Sequence, residues 1–87
     1  MAIVWVPSLL RPLCGGAARL EVDGTTLGEV LRAVDERCPG FLASVVENGR
    51  IRPEIMIAVD GDAEGVSLQE LLRPAAEISI LPAMAGG

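Results

Sequence analysis

The period of the apolar positions changes repeatedly along the 87-residue chain, and each change marks an element. "IVWV" at residues 3–6 is β-branched and aromatic and is closed by Pro7, which predicts a first strand. "LRPLCGG" then supplies turn chemistry, with Pro12 fixing a bend and Gly15 and Gly16 accepting positive φ. In "ARLEV" the period is two: Ala18, Leu20 and Val22 share one face, Arg19 and Glu21 the other. Together these stretches predict an antiparallel hairpin.

The period then lengthens. Leu27, Val30, Leu31, Val34 and Cys38 recur at helical spacing and form one apolar stripe. Thr26 is placed to cap this helix, Glu29 to complete a capping box, and Pro39-Gly40 to end it. "FLASVVE" predicts a short second helix and Asn48-Gly49 a turn. "IMIAVDGD" predicts a third strand with Ile55, Ile57 and Val59 inward, Met56, Ala58 and Asp60 outward, and a tight turn at Asp60-Gly61. "SLQELL" predicts a helical turn packing Leu68, Leu71 and Leu72, and "EISIL" a last strand with Ile78 and Ile80 in the core. The order strand, strand, helix, strand, strand gives an α+β domain with one main helix across one face of a mixed sheet. Beyond Pro82 no residue has enough side chain to bury, so the body is expected over residues 1–81 and a flexible tail over residues 82–87.

Composition narrows the function. A chain of this length supports one core that buries about 60–65 % of its unfolded surface. The net charge is −5, histidine and lysine are absent, and every cation is an arginine. Nucleic acid and anionic membrane both select clustered positive charge, so neither is an expected partner. With no histidine, no metal-ligand spacing and no nucleotide-binding glycine loop, the usual general base, metal and phosphate cradle are missing, and the chain reads as a non-enzyme. Cys14 and Cys38 form neither a C-x-x-C pair nor a metal cage and are expected as ordinary reduced thiols. "MAIVWVPSLL" has no basic stretch ahead of its apolar run, which Pro7 interrupts, and the expected location is cytoplasmic.

The carboxyl end then carries the chemistry. Residues 82–87 reach roughly 20 Å when extended, far enough to thread into another protein's active site. Gly86 and Gly87, without Cβ atoms, pass a narrow channel, and adenylation by a partner would turn the final carboxylate into an electrophile.

Across essentially its whole length the sequence resembles the ubiquitin-like sulfur carriers of the ThiS/MoaD type, which have the β-grasp fold. The resemblance lies in "VPSLLRPLCGG", "TTLGEVLRAVDERCPG", "IMIAVDGD" and "ISILPAMAGG", most of all in L-P-A-x-A-G-G at residues 81–87, an ending like that of carriers serving cysteine synthases. It departs at "LRPAAE", where many members carry an acidic, glycine-containing turn. The resemblance implies a four- to five-stranded mixed sheet and adenylation of Gly87 by an E1-like enzyme that uses ATP. A thiocarboxylate would follow, passing sulfur to an acceptor synthase. No cofactor or metal would be bound, and the free chain would be a monomer. Gly86 and Ala85 would give the tail passage.

In that fold the first strand lies beside the last and the last beside the third. An outward Trp5 would then sit near Ser79, Leu81, Met56 and Ala58, and a docking surface of Trp5, Met56, Ala58, Leu81 and Met84 is expected. The alternative is an inward, core Trp5. Arg11, Arg50, Arg52 and Arg73 are either solvated or pair with acids on a partner. Glu47, Asp60, Asp62 and Glu64 either keep the surface soluble or steer a basic partner. Three uses of the tail stay open: sulfur delivery to cysteine, thiamine, molybdopterin or a thiolated natural product; conjugation to lysines of other proteins; and a place as the small subunit of a molybdopterin synthase.

Overall fold

The computed structural model describes residues 1–82, and the elements over that span follow the order β1 (Ala2–Trp5), a 3-10 helix (Ser8–Cys14), β2 (Arg19–Val22), α1 (Leu27–Arg37), α2 (Phe41–Val45), β3 (Val46–Glu47), β4 (Arg50–Ile51), β5 (Ile55–Val59) and β6 (Glu77–Pro82). Residues 83–87, and with them the expectations placed on Met84, Ala85, Gly86 and Gly87, lie outside the described residues.

Four strands form one mixed sheet in the order β2-β1-β6-β5. β1 pairs antiparallel with β2 and parallel with β6, with Val4 opposite Ile78 and Trp5 opposite Ser79. β5 pairs antiparallel with β6 from Val59 opposite Ile78 to Ile55 opposite Pro82. The first and last strands are therefore central neighbours, and the chain leaves the sheet beside the start of β5. β3 and β4 form a separate ribbon joined by Asn48 and Gly49, whose φ values of 55° and 74° are what a two-residue hairpin loop of the primed kind demands.

One face of the sheet is buried. Val4, Val6, Val22, Ile57, Ile78 and Ile80 meet Leu27, Val30, Leu31 and Val34 of α1, with Phe41 and Val45 of α2 closing the end of the core. Each such side chain contributes about 1.5–3 kcal/mol on removal from water. The alternation read from the sequence is the cause: Val4 on β1 and Val6 just past its end point inward, leaving Trp5 outward and about 40 % exposed.

The start of α1 is capped from two directions. Thr26 Oγ1 accepts from the Glu29 amide at 3.2 Å, while Glu29 Oε1 accepts from the Thr25 amide and hydroxyl at 2.8 and 2.9 Å. The acid thus reaches one residue further back than a capping box places it. The amides of Leu27 and Gly28, otherwise orphaned in the first turn, donate to Glu70 O at 3.0 Å and Leu68 O at 2.9 Å. This pairing overturns the helical turn expected at "SLQELL". With the Leu68 and Glu70 carbonyls turned toward the start of α1 instead of along a helix axis of their own, residues 67–72 run as a turn and a strap. Leu71 bridges to Thr26 and is 78 % exposed, whereas Leu68 and Leu72 pack on the core. Gly28 permits the close approach, since a Cβ there would lie 3.2 Å from Leu68 O.

The two cysteines are not reduced thiols: Cys14 and Cys38 are joined in a disulfide with their Cα atoms 4.7 Å apart. The expected simple turn after β1 is instead a 3-10 helix, which carries Cys14 back over the end of α1, where Cys38 is the C-terminal cap. A separation of 24 residues gives no sign of this proximity in the sequence.

Candidate functional site

The outer face of the sheet reads as ladders of neighbouring residues. One row crosses the strands as Arg19, Trp5, Ser79 and Ala58, and Leu81 and Met56 lie opposite each other in the row at the end from which the chain leaves. Met56 and Leu81 are about half exposed, at 46 % and 48 %, and Trp5 joins them through Ser79. Four of the residues expected at a docking surface are therefore brought together on one face. Met84, the fifth, is outside the described residues.

Trp5 is held rather than free. Its indole N–H donates to Glu77 Oε1 at 3.0 Å, and the Arg19 guanidinium lies 5.9 Å from the ring centroid, within cation–π range. Arg19 itself pairs with Glu21 at 2.9 Å. An apolar row thus ends at a fixed aromatic ring with charges on its far side. This is how interface anchors are built, with a rigid ring at low entropic cost and a polar rim around it.

Asp60 organises the opposite end of the sheet. It accepts from Arg73 Nε and Nη2 at 2.9 and 3.1 Å and from the Glu77 amide at 3.0 Å. The Glu77 amide first, and then Arg73, hold its carboxyl below the ordinary range. Asp60 and Gly61 both have positive φ, at 53° and 87°, so the expected tight turn forms and aims the carboxylate at the start of β6. Glu29 is likewise lowered, chiefly by the Thr25 amide and hydroxyl. Arg73 is thus paired within its own chain. So is Arg52, with Glu47 at 3.1 Å and Glu54 at 3.3 Å, and Arg11 donates to Val6 O at 3.0 Å.

Sequence reading missed a second surface, near the end of β6. The 3-10 helix presents Leu9, 81 % exposed, and forms with Ile55 and Arg52 the wall of a cleft of about 410 Å³. The signal was "SLLRPLC", whose three leucines in a stretch read as a turn had no assigned partner. Among the described residues no group of three metal-ligating side chains comes together. Nor, among them, is any polar or charged residue buried.

A mixed sheet with its first and last strands parallel at the centre, crossed on one face by a helix and bearing an apolar row on the other, defines a ubiquitin-like β-grasp protein. The class extends to known structures. The chain superposes with a TM-score of 0.92 on a chain of the Amycolatopsis orientalis BexX/CysO complex, at 29 % identity over the whole of both chains. CysO of Mycobacterium tuberculosis matches at 0.91 and 24 % identity, over 97 % of this chain and all of that one. SAMP1 of Haloferax volcanii matches at 0.73 and 25 % identity, over 99 % and 98 %. No curated protein matches significantly by sequence. The ThiS family model matches residues 4–87, and the chain belongs to the ThiS family of ubiquitin-like sulfur carriers. Its fold resembles that of the CysO structures. Among the described residues no helix is long and apolar enough to cross a membrane.

Proposed function

We propose that this chain is a cytoplasmic carrier protein, itself without catalytic activity, that moves sulfur on the carboxylate of Gly87. An oxygen of that carboxylate attacks the α-phosphate of ATP in the site of an E1-like enzyme, expelling pyrophosphate and forming an acyl adenylate. Hydrosulfide-equivalent sulfur from a donor then attacks the carbonyl carbon, AMP leaves, and a thiocarboxylate remains. This soft nucleophile delivers its sulfur to an acceptor held by a synthase. ATP is consumed by the partner, and the carrier contributes its tail and a handle.

The observation that carries this reading is the ThiS family match, which runs through residue 87. It is supported by the likeness to a chain of the BexX/CysO complex, a carrier-type fold assembled with another protein. The "ILPAMAGG" ending, like that of carriers serving cysteine synthases, favours a role in cysteine or natural-product thiolation over thiamine or molybdopterin supply. The patch of Trp5, Ala58, Met56 and Leu81, together with Met84, is the surface by which the activating enzyme would grip the body, and Ala85 and Gly86 give the tail its passage. Deletion of Gly87 tests the proposal: ATP–pyrophosphate exchange catalysed by an E1-like enzyme should be lost while the melting temperature is unchanged. Exchange that persists in the deletion would refute it.

A second reading is favoured by the likeness to SAMP1, a small archaeal modifier protein: attachment of Gly87 to lysines of other proteins. The chain has no lysine of its own to receive such a bond. A ladder of high-mass adducts on denaturing gels would favour this modifier role, and its absence the carrier.

A further inference from the structure

We propose that the Cys14–Cys38 disulfide is a reducible clasp that fixes the shape of the surface around the root of the tail, so that partner engagement there depends on thiol redox state. The part concerning partners rests on the carrier reading above; the clasp itself does not.

The bond holds a segment with little else to hold it. The 3-10 helix Ser8–Cys14 contributes no buried residue. Its hydrogen bonds are local: Leu10 N–H to Pro7 O, Arg11 Nε to Val6 O, Gly16 N–H to Arg11 O and Ala17 N–H to Cys14 O. Beyond the disulfide, its attachments to the body are the packing of Leu10 and Cys14 on the core and the approach of Leu13 to Gly40. Removing the sulfur bridge therefore removes the one covalent tie of this segment to α1.

That segment also lines two clefts near the end of β6. Pro7, Ser8 and Arg11 face Trp5 and Leu81 across one, and Pro7, Leu9 and Leu10 face Ile55 across the other. β6 ends with Pro82 opposite Ile55, and Ile55 lines the second cleft. An enzyme that encloses the tail must cover this rim, and a loosened segment presents it no fixed surface.

The two sulfurs differ in access. Cys38 is 1 % exposed, whereas Cys14 is half-buried. A thiolate of a dithiol reductant attacks Sγ of Cys14, forming a mixed disulfide and expelling the Cys38 thiolate, which takes a proton. The second thiol of the reductant then attacks its own sulfur in the mixed disulfide and releases Cys14 as a thiol. The chain gains two electrons and two protons, and the dithiol becomes a disulfide; an oxidised dithiol reverses the exchange.

Hydrogen exchange of the oxidised and dithiothreitol-reduced chain, each verified as folded by circular dichroism, tests the clasp. Reduction should leave the Leu10, Gly16 and Ala17 amides with almost no protection, while Ile57 and Ile80 keep the protection that the lower global stability of the reduced chain, measured by urea unfolding, still allows. Segment amides that in the reduced form stay as protected as the sheet, or failure of a thioredoxin-class dithiol to open the bond, would overturn it. With the E1-like enzyme of the exchange assay, the reduced chain and Cys14→Ser should show at least a fivefold higher KM at unchanged kcat, and an equal KM would overturn the gating. If neither form is activated, the carrier reading fails, while hydrogen exchange still decides the clasp.

Discussion

Opening the Cys14–Cys38 bond with a phosphine reductant changes one covalent link and leaves every side chain in place, so its effect on stability can be calculated. The bridge closes a loop across a separation of 24 residues. In the chain-entropy account a loop of that size restricts the unfolded chain by about 3.5 kcal/mol at 25 °C. Unfolding entropy of about 2.1 cal/mol/K per residue converts this to a fall in Tm of roughly 15–20 °C for a chain of this length. Thermal unfolding followed by far-ultraviolet circular dichroism, with the thiol count checked by mass spectrometry after alkylation, measures it. Cys14→Ser should melt with the reduced wild type. A Tm difference below about 5 °C between fully oxidised and fully reduced chain would refute the reasoning, because a loop of this size must restrict the unfolded ensemble by more than about 1 kcal/mol.

Other consequences are independent of that bond. Met56→Lys, on the exposed sheet face, should change stability by less than about 1 kcal/mol yet raise the KM for the activating enzyme at least tenfold; unchanged KM would remove Met56 from the docking surface. Asp60 and Glu29 have folded pKa values below the ordinary range, so their contribution is full above the unfolded pKa and is lost as pH falls through the folded one. Urea midpoints should accordingly fall below about pH 4, and Asp60→Asn with Glu29→Gln should flatten that fall. A Cβ at Gly24 would lie 2.7 Å from Val30 Cγ2 and 2.9 Å from the Val30 amide, so Gly24→Ala should cost about 1–3 kcal/mol in urea unfolding, against no loss if the loop yields freely.

Local chemistry made much of this fold legible. Thr26 and Glu29 mark the start of α1, alternation on both sides of Trp5 sets which face of β1 is buried, and Asn48-Gly49 and Asp60-Gly61 form their turns with the positive φ those pairs favour. The failures share a cause: each element is decided by a partner distant in sequence. "SLQELL" has the leucines of a helix, but its carbonyls are taken by the amides of Leu27 and Gly28. Cys14 reaches Cys38 only because residues 8–14 coil instead of turning once. Glu77 and Arg19 fix Trp5 through the pairing of β1 with both neighbours, which no local pattern encodes. The outer-face row was legible once strand order was supplied by resemblance; Leu9 and its cleft were not, because an exposed leucine in a turn carries no periodic signal.

The central claim is that Gly87 carries the sulfur, and intact-protein mass spectrometry tests it most directly. The chain is incubated with an E1-like activating enzyme, ATP and a sulfur source, treated with a thiol-directed alkylating reagent and fragmented. The account predicts one oxygen exchanged for sulfur, with the alkyl group localised to Gly87. A mass gain confined to methionine, Cys14 or Cys38, with an unmodified Gly87 carboxylate, would contradict it.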